Sequence, residues 1–133
     1  MADTAQHRFE ALAQLKTLDQ YIPNRVKVAP HSEALRQFDR RTNSWERISY
    51  RDLSERIYAW RRAFAKMGLP KGARIAVLLP NGVDAVCCDQ AALANGLVTV
   101  PLHAIDTPNS SAFIIADSEA SVLVTNQQNR WDA

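Results

Sequence analysis

Few residues of this 133-residue sequence stand in a pattern that could carry chemistry. His103 follows the apolar run Leu97 to Leu102, where a buried strand would end, and histidine is the side chain best suited to exchange a proton near neutral pH. General-base work needs a nucleophile or an orienting carboxylate within reach of the imidazole. The local pattern offers neither, because Asp106 reads as a turn residue ahead of Thr107. His103 is therefore read as structural. Asn81, in Pro80-Asn81-Gly82, could touch a ligand, but an asparagine just before a helical pattern more readily caps it. Cys87 and Cys88 could begin a metal site, yet zinc requires further Cys or His residues at ligand spacing and none accompany them. Core packing is the favoured role for both. Trp60 and Phe64 could line an aromatic box, although their four-residue spacing is that of a helix buried on one face. No catalytic, cofactor-binding or metal-ligating residue is assigned.

The elements that would position such residues are clearer. Lys71 to Thr125 reads as strand, helix, strand, helix, strand. Ile75 to Leu79 is continuously apolar, as expected of a strand covered on both faces. Asn81 is expected to cap a helix carrying Val83, Val86, Cys87 and Leu93, which Gly96 closes. Leu97 to Leu102 is the second strand, and the unit from Arg74 to Leu102, 29 residues, suits a strand-helix-strand crossover. A second crossover uses Thr107 as cap, Pro108 at the first helical position, Phe113 to Ile115 toward the sheet, and Ser121 to Thr125 as the third strand. Sheets of this kind bind ligands at the carboxyl ends of their strands, where Pro80-Asn81-Gly82, His103-Ala104 and Asn126 fall, usually through a glycine-rich loop. No such loop is present. The sequence reads as the opening of a larger nucleotide-using enzyme, before the part that holds the nucleotide.

Upstream, residues 1–31 read as a helix and connector. Phe9, Leu12, Leu15 and Leu18 mark one face of a helix over Arg8 to Tyr21, with Pro23 ending it and Asn24 to Ser32 as connector. Residues 32–49 read as a hairpin, Ala34 to Asp39 and Ser44 to Ser49 joined by Arg40 to Asn43. Residues 50–126 form the α/β region. Its first helix has Ser49 three residues before Asp52, a capping arrangement, and then an apolar stripe of Leu53, Ile57, Trp60, Phe64 and Met67 that is expected to be buried. Gly68 and Pro70 stop that helix. The fold class is α/β: a partial, flavodoxin-like parallel sheet with flanking helices, preceded by a helix and a β-hairpin.

Composition sets the broad class. With 47% hydrophobic and 23% charged residues the chain is an ordinary globular one of a single domain's length. The two adjacent cysteines give no disulfide framework, and no signal-peptide run or stretch of about 18 apolar residues occurs, so a reduced, cytoplasmic setting is expected. Charge is uneven. From Arg36 to Arg74 nine Arg and two Lys face four acids, a net +7, whereas Ile75 onward has one Arg against six acids, a net −5. Without a helix-turn-helix, zinc-knuckle or aromatic RNA platform, the basic half reads as a solvated helix face and docking surface, with a nucleic-acid or acidic-membrane footprint as the alternative.

In this order and spacing, four segments carry a family resemblance: Ile48 to Leu53, Gly72 to Asn81, Gly96 to Leu102 and Asp117 to Ala120. Over about Leu18 to Thr125 the chain resembles the amino-terminal subdomain of the AMP-forming acyl-activating enzymes, most nearly the fatty acyl-CoA synthetases. The resemblance implies a parent that uses ATP, magnesium and CoA to convert a fatty acid into an acyl-adenylate and then a thioester. It places the phosphate loop, the adenosine- and ribose-binding motifs and the catalytic lysine beyond Ala133, so none of those residues is carried over and the chain by itself is expected to bind no cofactor and to be inactive. Its expected partner is the remainder of the parent enzyme, or a second copy, through an exposed sheet, with no nucleic acid and no membrane-spanning segment. A stand-alone interaction or regulatory module on the same scaffold is the alternative. One departure is local: the family commonly has glycine where Glu119 stands, at a helix end that often needs positive φ.

Overall fold

The computed structural model describes residues 12–131, which form two compact units dividing between Glu55 and Arg56. In the first unit a 3-10 turn, Leu18–Gln20, leads into α1, Tyr21–Val28. The expected helix over Arg8 to Tyr21 begins, with Phe9, outside the described residues. Within them it is interrupted, because Thr17 is extended (φ −140°, ψ 153°), and Leu18 is 72% exposed where an apolar stripe was expected. Pro23 does not end a helix. It is the third residue of α1, where a backbone N–H has no intrahelical acceptor and its absence costs little. The connector therefore shrinks to Ala29–Ser32, and Ile22 becomes a buried anchor.

The hairpin forms as expected. β1 (Glu33–Asp39) and β2 (Ser44–Ser49) pair antiparallel from Glu33 opposite Ser49 to Asp39 opposite Ser44. Asn43 closes the connection at φ 51°, a left-handed conformation that asparagine tolerates better than most residues. Trp45 and Phe38 face each other across the strands with ring centroids 5.4 Å apart. The chain then enters α2, Tyr50–Lys66, through a reciprocal cap. The Ser49 hydroxyl accepts from the Asp52 amide at 3.2 Å, and the Asp52 carboxylate accepts from the Ser49 amide at 3.1 Å. The Tyr50 and Arg51 amides donate to the Ser32 and Pro30 carbonyls, and the Arg25 guanidinium lies 4.9 Å from the Tyr50 ring centroid.

α2 continues into the second unit. Of its expected stripe, Leu53, Ile57 and Phe64 are buried, Trp60 is half-buried with its ring 6.0 Å from Phe64, and Met67 is exposed. Met67 departs because the helix ends at Lys66: Gly68 takes φ 64° and the turn carries Met67 out of helical phase. Three parallel strands follow, β3 (Arg74–Leu78), β4 (Val98–Pro101) and β5 (Val122–Thr125), in the order β4-β3-β5. β3, apolar from Ile75 to Leu78, is the central strand, pairing Ile75 with Thr99 on one side and with Val122 on the other. Alternation along it puts Ala76 and Leu78 on one face, in a core with Leu102, Ile114, Ile115 and Leu123.

The two crossover helices are α3 (Val83–Ala94) and α4 (Pro108–Asp117). Asn81 does not cap α3: Gly82 intervenes as the N-cap, its carbonyl accepting from the Val86 amide at 3.2 Å. Gly96, at φ 69°, closes α3 as expected. Thr107 caps α4 by accepting from the Ser110 amide at 3.2 Å, with Pro108 in the first turn. Phe113 is exposed rather than turned to the sheet, since successive helical residues diverge by about 100° and Ile114 and Ile115 already fill the buried side. After α4, Glu119 has φ 52°, a left-handed conformation that glycine adopts more readily than other residues. Arg74 spans this turn, donating to the Ser118 carbonyl and pairing with the Glu119 carboxylate at 2.5 Å. A last short helix, α5, is Gln128–Trp131. Among the described residues no helix is long and apolar enough to cross a membrane.

Candidate functional site

The carboxyl ends of β3 and β4 open onto a cleft of about 460 Å³, within the range of small-molecule sites. Its position follows from the local sequence. Pro80 ends β3 and turns the chain into α3, while Pro101 and Leu102 end β4, so the two loops diverge and leave a gap between them. Val77 contributes to its apolar wall from β3, Leu79 from the residue after the strand, Ala85 from α3, and Leu102 and Ile105 from the second loop. Ile105 is 95% exposed, an apolar lip with no cover among the described residues.

Of the residues singled out in sequence, the cleft gathers Pro80, Asn81, His103 and Ala104. Asn126 and Gly82 are not part of its lining. Asp106 donates its amide to the His103 carbonyl at 3.0 Å, closing a turn, as its placement ahead of Thr107 suggested. Two polar residues escaped the sequence reading. The Thr99 hydroxyl donates to the Asp89 carboxylate at 2.8 Å inside the cleft wall, joining β4 to α3. The available signal was that Asp89 stands one helical turn after Ala85, on a face otherwise made of small apolar residues.

Cys87 and Cys88 are completely buried in α3. Burial, then the Asp84 carboxylate, pushes the Cys87 thiol up to about 11, with Arg56 opposing. Burial and then Asp89 push Cys88 to about 12. Both remain protonated thiols at neutral pH, in a form that neither attacks nor ligates. Trp60 and Phe64 lie against one another on α2, a packing pair rather than a box. Among the described residues no group of three or more His, Cys, Asp or Glu side chains converges on a metal position.

The charge of the region is one-sided. From Ile75 to Asn129 the sequence has no Lys or Arg, while Asp84, Asp89, Asp106, Asp117 and Glu119 fall within it. A nucleotide triphosphate needs cations and converging backbone amides around its phosphates. The cleft presents a carboxylate, an amide and an imidazole instead, with a further acid, Asp84, in the first turn of α3. The cleft lining supplies no Lys or Arg to meet the phosphates of ATP or CoA.

Comparison with known proteins identifies the wider context. Residues 22–133 match the family described as AMP-binding enzyme. A crotonobetaine/carnitine–CoA ligase from Salmonella paratyphi B is 33% identical over 81 residues, 61% of this chain but only 16% of the ligase. Among solved structures, a Mycobacterium tuberculosis fatty acyl CoA synthetase superposes with a TM-score of 0.74 at 24% identity, over 88% of this chain and 23% of that one. The Klebsiella oxytoca NpsA N-terminal subdomain does so with a TM-score of 0.74 at 21% identity, over 86% and 28%. The structural likeness establishes the amino-terminal fold of acyl-CoA synthetase-like enzymes, and the family match over residues 22–133 carries the conclusion: the chain belongs to the AMP-binding enzyme family.

Proposed function

We propose that this chain is the amino-terminal portion of a cytoplasmic, ATP-dependent acyl-CoA synthetase, which joins a fatty acid to CoA through an acyl-adenylate, and that it has no such activity by itself. The family match supports the ligase class, and the chain is similar to a crotonobetaine/carnitine–CoA ligase and, in fold, to a fatty acyl CoA synthetase. The observation that carries the second half is the strand-end cleft, where this fold class binds ligands and where no cationic side chain stands. Losing one preorganised donor at a developing oxyanion costs about 2.7 to 4 kcal/mol, so a site without any cationic phosphate donor should be inactive. In this reading the chain contributes scaffold, and the groups that hold ATP, magnesium and CoA come from other parts of the enzyme docking on the exposed sheet.

The test is ATP-pyrophosphate exchange with a series of fatty acids. The 133-residue chain should give none, and addition of a second polypeptide carrying the remainder of a related synthetase should restore measurable exchange. Exchange by the isolated chain, surviving a control for contaminating full-length enzyme, would overturn the proposal.

A further inference from the structure

Beyond the ligase reading, and independent of it, the cleft has its own ligand preference. Its wall is apolar from Val77, Leu79, Ala85 and Ile105, and its charged group is Asp89. One Asp89 oxygen accepts from Thr99. The nearest basic residue in sequence on the β3 side, Arg74, lies at the opposite end of the strand and is occupied by Ser118 and Glu119. Beyond Arg74, which pairs with Glu119, the strands β3 to β5 and the helices α3 and α4 carry no Lys or Arg. An apolar pocket with a carboxylate in its wall and no Lys or Arg in its lining favours a cation over an anion, and partial burial weakens the screening that would blunt the preference.

We propose that the cleft at the ends of β3 and β4 is a binding site for a small amphipathic cation, an alkylammonium or quaternary ammonium whose chain lies on Val77, Leu79, Ala85 and Ile105 and whose cationic head meets Asp89. Thr99 is a positioning residue: its hydrogen bond fixes one carboxylate oxygen. The volume, about 460 Å³, suits a molecule with a short alkyl chain rather than a macromolecular segment.

Titrations of hexyltrimethylammonium, hexanol and hexanoate into the 133-residue chain at low salt, followed by methyl NMR, separate the alternatives. The expected result is saturable shifts at Val77, Leu79, Ala85 and Ile105, with the cation binding at least about tenfold more tightly than hexanoate and the gap narrowing as salt is raised. Asp89→Asn, which can still accept from Thr99, should reduce cation affinity about tenfold while leaving hexanol unchanged. Ala85→Leu, which fills the cleft, should weaken all three ligands. Equal binding of the three would reduce the site to an apolar crevice and overturn the proposal, as would tighter binding of hexanoate, shifts confined to other residues, or no saturation. If Asp89→Asn does not fold, the ordering of the three ligands on the unaltered chain and its salt dependence decide the matter.

Discussion

The segments on either side of Ile75 handle charge in opposite ways. Arg36 to Arg74 carries a net +7, and its hairpin cations are partly met by local acids: Glu33 pairs with both Arg36 and Arg47, and Asp39 with Arg41. From Ile75 to Asn129 there are five acids and no cation at all. The first pattern is that of a solvated surface with short-range pairing, whose removal should be nearly silent. The second includes the strand-end cleft, whose lining holds Asp89 and no Lys or Arg. Stability is held by the apolar positions common to both segments, and substitutions there should have the largest effects.

Phe64→Ala should be the most damaging. It removes a ring that is 3% exposed and should cost about 3 to 5 kcal/mol by denaturant unfolding. Met67→Ala, three residues on but 51% exposed, should cost under about 0.5 kcal/mol, and a large loss there would show that the stripe extends beyond the helix. Ser49→Ala comes next. It breaks the reciprocal cap with Asp52 and should cost about 1 kcal/mol, measured in the same way.

Glu119→Gly is a sharper probe because two effects oppose. Relieving a non-glycine residue at φ 52° should gain about 1 kcal/mol, while losing its exposed ion pair with Arg74 should cost about 0.2 to 1 kcal/mol. The melting temperature should be unchanged or slightly raised. A clear fall would assign Glu119 more than an exposed contact. The smallest effect belongs to the hairpin. Hydrogen bonds from Arg36, and then Arg47, hold the Glu33 carboxyl below its ordinary value. A depressed carboxylate stabilises the fold above its unfolded pKa, and that contribution is lost as pH falls through the folded one. Glu33→Gln should therefore lower neutral stability slightly and flatten its decline from about pH 4.3 downward, as read by melting at stepped pH. An unchanged acid limb would show that the pair has no weight in solution.

These contrasts also show how far the residues could be read before the structure. The parallel sheet, both crossovers, the hairpin and the Ser49 and Thr107 caps were legible, because each rests on local signals: apolar runs, glycine stops and polar caps. The positive φ at Glu119 was legible only through the family resemblance. The start of α1 was not, because Pro23 inside a first turn and Pro23 after a helix give the same string of residues. Nor was the exposure of Phe113, since a short apolar run does not say which of its members a helix turns outward. The cleft was half legible. Its loops were placed from the strand ends, but the bond between Asp89 and Thr99 joins a helix to a strand ten residues on and depends on the tertiary register.

The central claim is the proposal that nucleotide chemistry is completed by groups from outside this chain, because the strand-end cleft has no Lys or Arg in its lining. Titration of magnesium-ATP into the 133-residue chain, followed by amide NMR at Leu79, Asn81 and His103, tests it most directly. The account predicts no saturable shift at those three positions at millimolar nucleotide. Saturable shifts there, weakened by Asn81→Ala, would contradict it.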